Sequence, residues 1–506
     1  MSVINEILSF FIKRRIERIN LFRLHPHDTQ KKEFKSLIYK ARKTEFGKKY
    51  GFAEISSFHK YQERVPIVAY EDYYPYIERV LKGEQNIIWP SQINLFSKSS
   101  GTTNAKSKYI PVSEESLESS HFRGGKDLLT LYLTEKPESK LFEGKSLSIG
   151  GSLQDNPFNT NTAVGDISAI ITQNLPSWAE YLRTPPLEVA LMENWEDKLT
   201  KMVEICSKED LTSILGVPTW TVVFLERILK EMGKDNLLDI WPNFELFVHG
   251  AVNFQPYRGL FKTKFFPSSK ISYLETYNAS EGYFGVQDDP SREGEMLLML
   301  DYGIFYEFIP MENIHEEHPK TLTISEVELD KNYAIIISTN AGLWRYKIGD
   351  TVKFTSTIPY RIKITGRTKH FINAFGEELI IENAEQGILA ACQYSGISIK
   401  DYTAAPVYMA NNKQGCHEWV IECNVKPENP KTFIQKLDDT LRIVNSDYDA
   451  KRKGNIALSL PKVHFVAEGT FYNWMQSRGK LGGQHKVPRL SNNREFIDDL
   501  LKFKGF

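Results

Sequence analysis

The chain has 506 residues, of which 41% are hydrophobic and 25% charged, and its formal net charge is -1. That length supplies material for roughly three domains and a large core, and the charge balance gives no global attraction to nucleic acid or anionic lipid. Four scattered cysteines, Cys206, Cys392, Cys416 and Cys423, form no Cys-x-x-Cys and fit no zinc spacing, which argues against a disulfide framework and points to the cytoplasm.

The N-terminal stretch "MSVINEILSFFIKRRIERINLF" carries Ile4, Leu8, Ile12 and Ile16 at helical spacing. It is too charged to span a membrane, and the pattern predicts an amphipathic helix packed on the protein body. Its Lys13, Arg14, Arg15 and Arg18 would also suit a membrane surface. Residues 30 to 90 read as helices broken by turns. "SQINLF" then reads as a short strand, and "PVSEESLESSHF" as a helix start. Ser113 is placed to cap that helix, with Glu114 and Glu115 at the positive end of its dipole.

Between strand and helix stands "FSKSSGTTNAKSKYIPVS". Glycine lets backbone approach an anion closely, hydroxyls donate hydrogen bonds, and lysine adds a mobile charge. Phosphate binding and an ordinary turn-rich loop both fit this composition. No Gly-Lys-Ser or Gly-Lys-Thr follows at the spacing of the usual P-loop.

"KSLSIGGS" reads as a strand entering a glycine turn, and "DLTSILGVPTWTVVFLERILKEMGK" as a strand and a helix with Pro218 near its start and Gly233 near its end. "WPNFELFVHGAV" and "SKISYLETYNASEGYFGVQ" each place a strand before a small-residue turn. "GEMLLMLDYGIFYEFIP" predicts a hairpin turning near Asp301-Tyr302-Gly303, and "KNYAIIISTNAGLWRYKIGDTVKF" another β pair. Strands and helices alternate as in α/β architectures. From about residue 367 the texture becomes that of a small α+β unit.

Loops after strands carry the candidate chemistry. In "TYNASEGYFG", Tyr277 offers an aromatic face, Ser280 a hydroxyl and Glu281 a hard oxygen ligand for Mg²⁺; a core tyrosine and a solvated glutamate fit equally. In "WRYKIGD", Asp350 ends a tight turn and could accept two ribose hydroxyls, or form an Asx turn.

Together, Ser-Ser-Gly-Thr-Thr, Tyr-x-x-Ser-Glu, Tyr-x-x-Gly-Asp, Gly-Arg and a late Lys-Val-x-Arg resemble the adenylate-forming superfamily of acyl-CoA synthetases, luciferases and peptide-synthetase adenylation domains. "KTEFGKKYGF", "RVPIVAYEDYYPYIERVLKGEQNIIWP", "NAGLWRYKIGD" and "QHKVPRL" look most like its Gretchen Hagen family of auxin-responsive acyl acid amido synthetases, bacterial-type members included. The resemblance runs over nearly the whole chain. It implies an α/β adenylate-forming two-domain fold. Residues 1–366 would form a large domain of mixed β-sheets flanked by helices, and residues 367–506 a small mobile α+β domain carrying the catalytic lysine.

The resemblance also implies an activity and roles. A carboxylic acid and MgATP would give acyl-AMP and pyrophosphate, and an amino acid amine would then take the acyl group. An acyl-CoA ligase, or a non-catalytic nucleotide- or acyl-binding protein, are the alternatives. Ser99, Ser100, Gly101, Thr102 and Thr103 would wrap the ATP phosphates, with Lys108 as a catalytic cation. Thr276, Tyr277 and Asn278 would border the nucleotide, Tyr277 on the adenine. Ser280 would touch the α-phosphate, and Glu281 would hold Mg²⁺. Asp350 would bind the ribose, assisted by Arg367 at the hinge with Lys369 behind it. Lys486 would reach the α-phosphate and the acid; Lys480 is its rival, but Val487 and Arg489 complete the pattern around Lys486. Asn104-Ala105 stands where the superfamily usually has glycine. Candidates for the acyl pocket are His121 and Phe122, the Pro218-Thr219-Trp220 turn, and "VHGAV" at 248–252. Neither nucleic acid nor stable membrane insertion is expected.

Overall fold

A computed structural model describes residues 3–99, 108–151, 153–155, 159, 162–251, 254–314, 316–367, 371–372, 377, 379–407, 415–452, 458–479, 487–491 and 494–504. Two mixed sheets dominate the first two thirds. The smaller has the order β2-β1-β5-β4 and is built from β1 (Leu95–Ser99), β2 (Lys108–Val112), β4 (Leu153–Asp155) and β5 (Ala163–Gly165).

The larger has eleven strands. Its parallel half comprises β3 (Lys145–Ser148), β6 (Arg183–Thr184), β7 (Leu211–Gly216), β8 (Leu246–Gly250) and β9 (Ser272–Ala279). Its antiparallel half adds β10 (Gly282–Val286), β11 (Met296–Leu298), β12 (Ile304–Pro310), β13 (Asn332–Thr339), β14 (Tyr346–Thr357) and β15 (Tyr360–Arg367). The order across both halves is β12-β13-β14-β15-β11-β10-β9-β8-β7-β3-β6.

Strand periodicity divides the core. On β3, β7, β8 and β9, the residues Leu147, Ile214, Phe247 and Tyr273 join one apolar cluster, whereas Leu246, Val248 and Leu274 on the opposite face join another. Successive side chains of a strand point to opposite faces, so one parallel sheet feeds two cores. Further clusters are drawn from beyond residue 371, around a three-stranded sheet of β18 (Ile399–Val407), β19 (Cys416–Cys423) and β20 (Lys462–Val466). The two-stranded pair β16 (Phe371–Ile372) and β17 (Leu379–Ile380) precedes it.

Three local expectations change. The predicted N-terminal helix is two helices, α1 (Val3–Lys13) and α2 (Ile16–Leu24). Arg15 between them turns inward to Asp127 at 2.9 Å and Asp301 at 2.6 Å, so a basic residue that would suit a membrane surface ties the segment to the protein body. The expected hairpin at Asp301-Tyr302-Gly303 does not pair its own arms. β11 lies between β10 and β15, while β12 pairs with β13 from Ile304↔Thr339 to Pro310↔Tyr333. The three residues of β11 give a hairpin partner few hydrogen bonds; β13 pairs with β12 along its whole length. Asp350 lies within β14 rather than ending a turn, opposite Arg367 of β15.

The turn before β14 is fixed instead by Arg345, at φ 43°. Its guanidinium reaches Glu307 at 2.8 Å with both side chains almost fully buried, and also holds the Val65 carbonyl and the Thr321 hydroxyl. Other readings hold: Ser113 accepts from the Ser116 N–H at 3.0 Å, and the helix Pro218–Met232 ends at Gly233 in a left-handed conformation, φ 60°.

Candidate functional site

The carboxyl ends of parallel strands are where α/β proteins place ligands, and here they border a cavity of about 990 Å³. That volume is at the top of the range for a small-molecule pocket. Thr276, Tyr277, Asn278, Ser280, Glu281 and Asp350 all line it, and Lys108 borders it from β2.

Hydrogen bonds join the loops. The Ser97 hydroxyl on β1 donates to Ser280 Oγ at 2.8 Å, which fixes the base of the hydroxyl-rich loop against the turn after β9. The Tyr277 hydroxyl donates to Asp350 Oδ2 at 2.5 Å, which fixes that same strand against β14. The Tyr277 ring is held edge-on to Phe284 with centroids 4.9 Å apart. Thr276 Oγ1 donates to the His249 carbonyl at 3.3 Å. Two carboxylates, two aromatic hydroxyl or ring groups and a set of small hydroxyls therefore converge from three segments distant in sequence.

A π-helical stretch, Leu117–Phe122, brings His121 into the wall. Such widened turns inside helices recur at functional sites. His121 Nδ1 lies 2.9 Å from Asn278 Oδ1, an arrangement in which the ring nitrogen donates. Burial disfavours the charged ring and pushes its pKa down to about 4. The helix that follows, α3 (Arg123–Glu135), is pressed on β10: a Cβ on Gly124 would lie 2.4 Å from the Tyr283 ring. Glycine is required there for close approach.

Sequence reasoning left out Glu275, although strand periodicity gave a signal. It stands two residues before Tyr277 on β9 and therefore shares its face. It lines the cavity, and burial, reinforced by Glu385, raises its carboxyl to about 7 against the pull of Arg258 and Lys363. Its register partner on β8 is His249. The His249 ring packs on Phe254, centroids 4.2 Å apart, and neither ring nitrogen has a hydrogen-bond partner among the described residues. Burial pushes its pKa down to about 3.

The cavity's other wall comes from beyond residue 380. Val487, Pro488 and Arg489 border it. They are held to β18 by the Thr403 hydroxyl, which donates to the Pro488 carbonyl at 2.6 Å, and by the Ala404 N–H on the Arg489 carbonyl at 2.9 Å. Arg489 pairs with Asp401 at 3.3 Å and stacks on Tyr402. Across the junction, the Tyr257 hydroxyl donates to the Lys400 carbonyl at 2.7 Å, and Lys400 Nζ reaches Glu226 at 2.6 Å.

Of the residues singled out from sequence, Ser100, Gly101, Thr102, Thr103, Lys369, Lys480 and Lys486 lie outside the described residues. Ser99 and Arg367 are described through their backbones only, the first paired with Lys108 and the second with Asp350. Lys108 Nζ lies 5.3 Å from the centre of the Tyr70 ring. His121, Phe122 and Trp220 line the cavity, as do Val248 to Ala251.

Comparison with known proteins gives one consistent picture. The GH3 family N-terminal domain matches residues 15–271, the GH3 family central domain residues 297–367, and the GH3 family C-terminal domain residues 382–495. The chain is 22% identical to an indole-3-acetic acid-amido synthetase of Arabidopsis thaliana, covering 91% of this chain and 88% of that one. It is 23% identical to a jasmonoyl–L-amino acid synthetase of Oryza sativa subsp. japonica, over 94% of each. Among solved structures, an acyl acid amido synthetase, GH3.15, superposes with a TM-score of 0.79 at 17% identity over 97% of this chain and 96% of that one. A 2-hydroxyisobutyryl-CoA ligase in its postadenylation state superposes with a TM-score of 0.61 at 11% identity, over 94% and 91%.

Proposed function

The chain belongs to the GH3 family, and from that premise we propose that it is an ATP-dependent acyl acid amido synthetase. A carboxylate attacks the α-phosphorus of ATP, giving acyl-AMP and pyrophosphate; the amine of an amino acid then attacks the acyl carbon, giving an amide and AMP. The observation that carries this reading is the bonding of Ser97 to Ser280 and of Tyr277 to Asp350, which ties β1 and β14 to the segment Thr276–Glu281 that lines the cavity.

Each residue has work to do in that scheme. Tyr277 presents its ring to adenine and, through its hydroxyl, orients the Asp350 carboxylate to accept from the ribose. Ser280, steadied by Ser97, donates to the α-phosphate. The loop of Ser99 to Thr103 and Lys108 hold the phosphates. Glu281 is the carboxylate offered to Mg²⁺, which when bound neutralises phosphate charge. Negative charge builds on the α-phosphate during attack, and fixed cations and donors in a site shielded from water stabilise it most. Lys486 supplies that cation from the segment adjoining cavity-lining Val487.

Residues 1–366 act as the large adenylating domain and residues 367–506 as a small domain that turns about Arg367 between the half-reactions, since Lys486 serves only the first. No described helix is long and apolar enough to cross a membrane. The need for ATP and the four free thiols suit the cytoplasm. Acid-dependent exchange of pyrophosphate into ATP tests the first half-reaction. Product mass with amino acids against coenzyme A tests the second, where a thioester would replace the amidation reading with a ligase using a thiol acceptor.

A further inference from the structure

The cavity does not stop at the carboxyl ends of the strands. Along β3 and its flanks, Gly144, Ser146, Ser148, Ile149 and Gly150 border it. Leu147, between the two serines, belongs to the opposite core. From Gly150 to Gly144 the chain advances six residues, about 20 Å at the rise of a strand. The free space therefore runs the length of β3, from the edge that carries Asn278 and Ser280 toward the far edge of the sheet.

Its floor is low and its end is apolar. The small side chains of Ser146 and Ser148 on β3, with Ser213 on β7, leave room above the sheet, and Ser213 Oγ donates to Ser146 Oγ at 2.9 Å. Leu246 and Val248 of β8 form one side. The roof is α3, where nothing lies within 4 Å of a Cβ built on Gly125. Leu128, Leu141, Phe142 and Leu246 border the far end and are 2%, 5%, 6% and 0% exposed. A guest reaching that end must be apolar along its length, and a single ring at the mouth would leave most of the lobe unused.

We propose that the acid activated by this chain is a straight-chain fatty acid of medium to long length, its carboxylate at Asn278 and Ser280 and its tail lying over β3 toward Phe142. The proposal rests on the adenylation reading above. Each methylene buried in the lobe should raise kcat/KM roughly fourfold until the lobe is full.

The test is pyrophosphate exchange with butanoate, octanoate, dodecanoate and hexadecanoate beside benzoate and indole-3-acetate, on the full chain and on Gly125→Leu and Ser148→Leu. Gly125→Leu replaces a helical glycine that has space above it, which favours folding. The expected result is a kcat/KM that climbs with chain length in the parent and peaks at a shorter acid in both variants. Preference for benzoate or indole-3-acetate, or a peak that stays in place in both folded variants, overturns the proposal and leaves adenylation standing. Calorimetric titration of dodecanoate without ATP separates the remaining case. Dodecanoate binding that is lost in Gly125→Leu, with no exchange for any acid, keeps the lobe assignment and sinks adenylation. Absence of both binding and exchange sinks both.

Discussion

Replacing Asp350 by alanine removes the only acidic group bonded to Tyr277 among the described residues. The Tyr277–Asp350 hydrogen bond, 2.5 Å long, links β9 to β14. In the proposed complex the carboxylate accepts from the ribose, and a hydrogen bond to a charged group contributes about 1.5–3 kcal/mol. Two such bonds, partly offset by water entering the site, give a loss of about 3 kcal/mol, or roughly a hundredfold rise in the KM for ATP. Asp350 is half-buried at the cavity wall, and water can reach the freed Tyr277 hydroxyl, so the thermal midpoint should shift by only a few degrees. The assay is pyrophosphate exchange titrated with ATP at saturating acid, beside a thermal melt. A KM within twofold of the parent in a folded protein refutes the ribose role. Tyr277→Phe, which removes the hydroxyl that orients the carboxylate but keeps the ring, should raise the same KM by roughly tenfold.

Other consequences are independent of that residue. Glu307→Gln leaves Arg345 charged and buried without its partner and should cost about 3–5 kcal/mol, read as a lower midpoint of urea unfolding. Gly124→Ala forces α3 away from Tyr283 and should lower exchange activity by more than tenfold; wild-type kinetics would contradict the close packing. Lys486→Ala should slow adenylation by roughly 10²–10³-fold, measured by single-turnover formation of acyl-AMP. His121 and His249 are held neutral, at about 4 and about 3, below the ordinary value near 6.5. Their unfolded forms take up protons first, so their contribution is complete above about pH 6.5 and is lost as pH falls toward 4. His249→Phe should flatten the stability–pH slope in that window by about 1.4 kcal/mol per pH unit, followed by unfolding at stepped pH.

Much of the fold was legible because the sequence carries strong local signals. The alternation in "LFVHG" and "SYLETYNA", the proline at the start of Pro218–Met232 and the glycine at its end, and the Ser113 cap each act within a few residues. The pairing of β12 was hidden because a hairpin turn and a long-range ladder leave the same apolar pattern in "GEMLLMLDYGIFYEFIP". Arg15 and Arg345 have partners, Asp127 and Glu307, that lie far off in sequence, where no local pattern couples them. Motif residues could be recognised singly, but the Tyr277–Asp350 and Ser97–Ser280 bonds depend on strand order. Glu275 was missed because it lies outside the Tyr-x-x-Ser-Glu pattern, and its place in the cavity wall, where Glu275 to Glu281 follow one another, depends on the fold.

The most direct test of the central claim is one reaction: purified chain, ATP, Mg²⁺, a panel of acids and a mixture of amino acids, with AMP, pyrophosphate and acyl products followed by mass spectrometry. The account predicts pyrophosphate and AMP in equal amounts with an N-acyl amino acid, formed only when both acid and amino acid are present. ATP consumption that yields ADP, or an acid-dependent end product other than acyl-AMP that carries no amino acid, would contradict it.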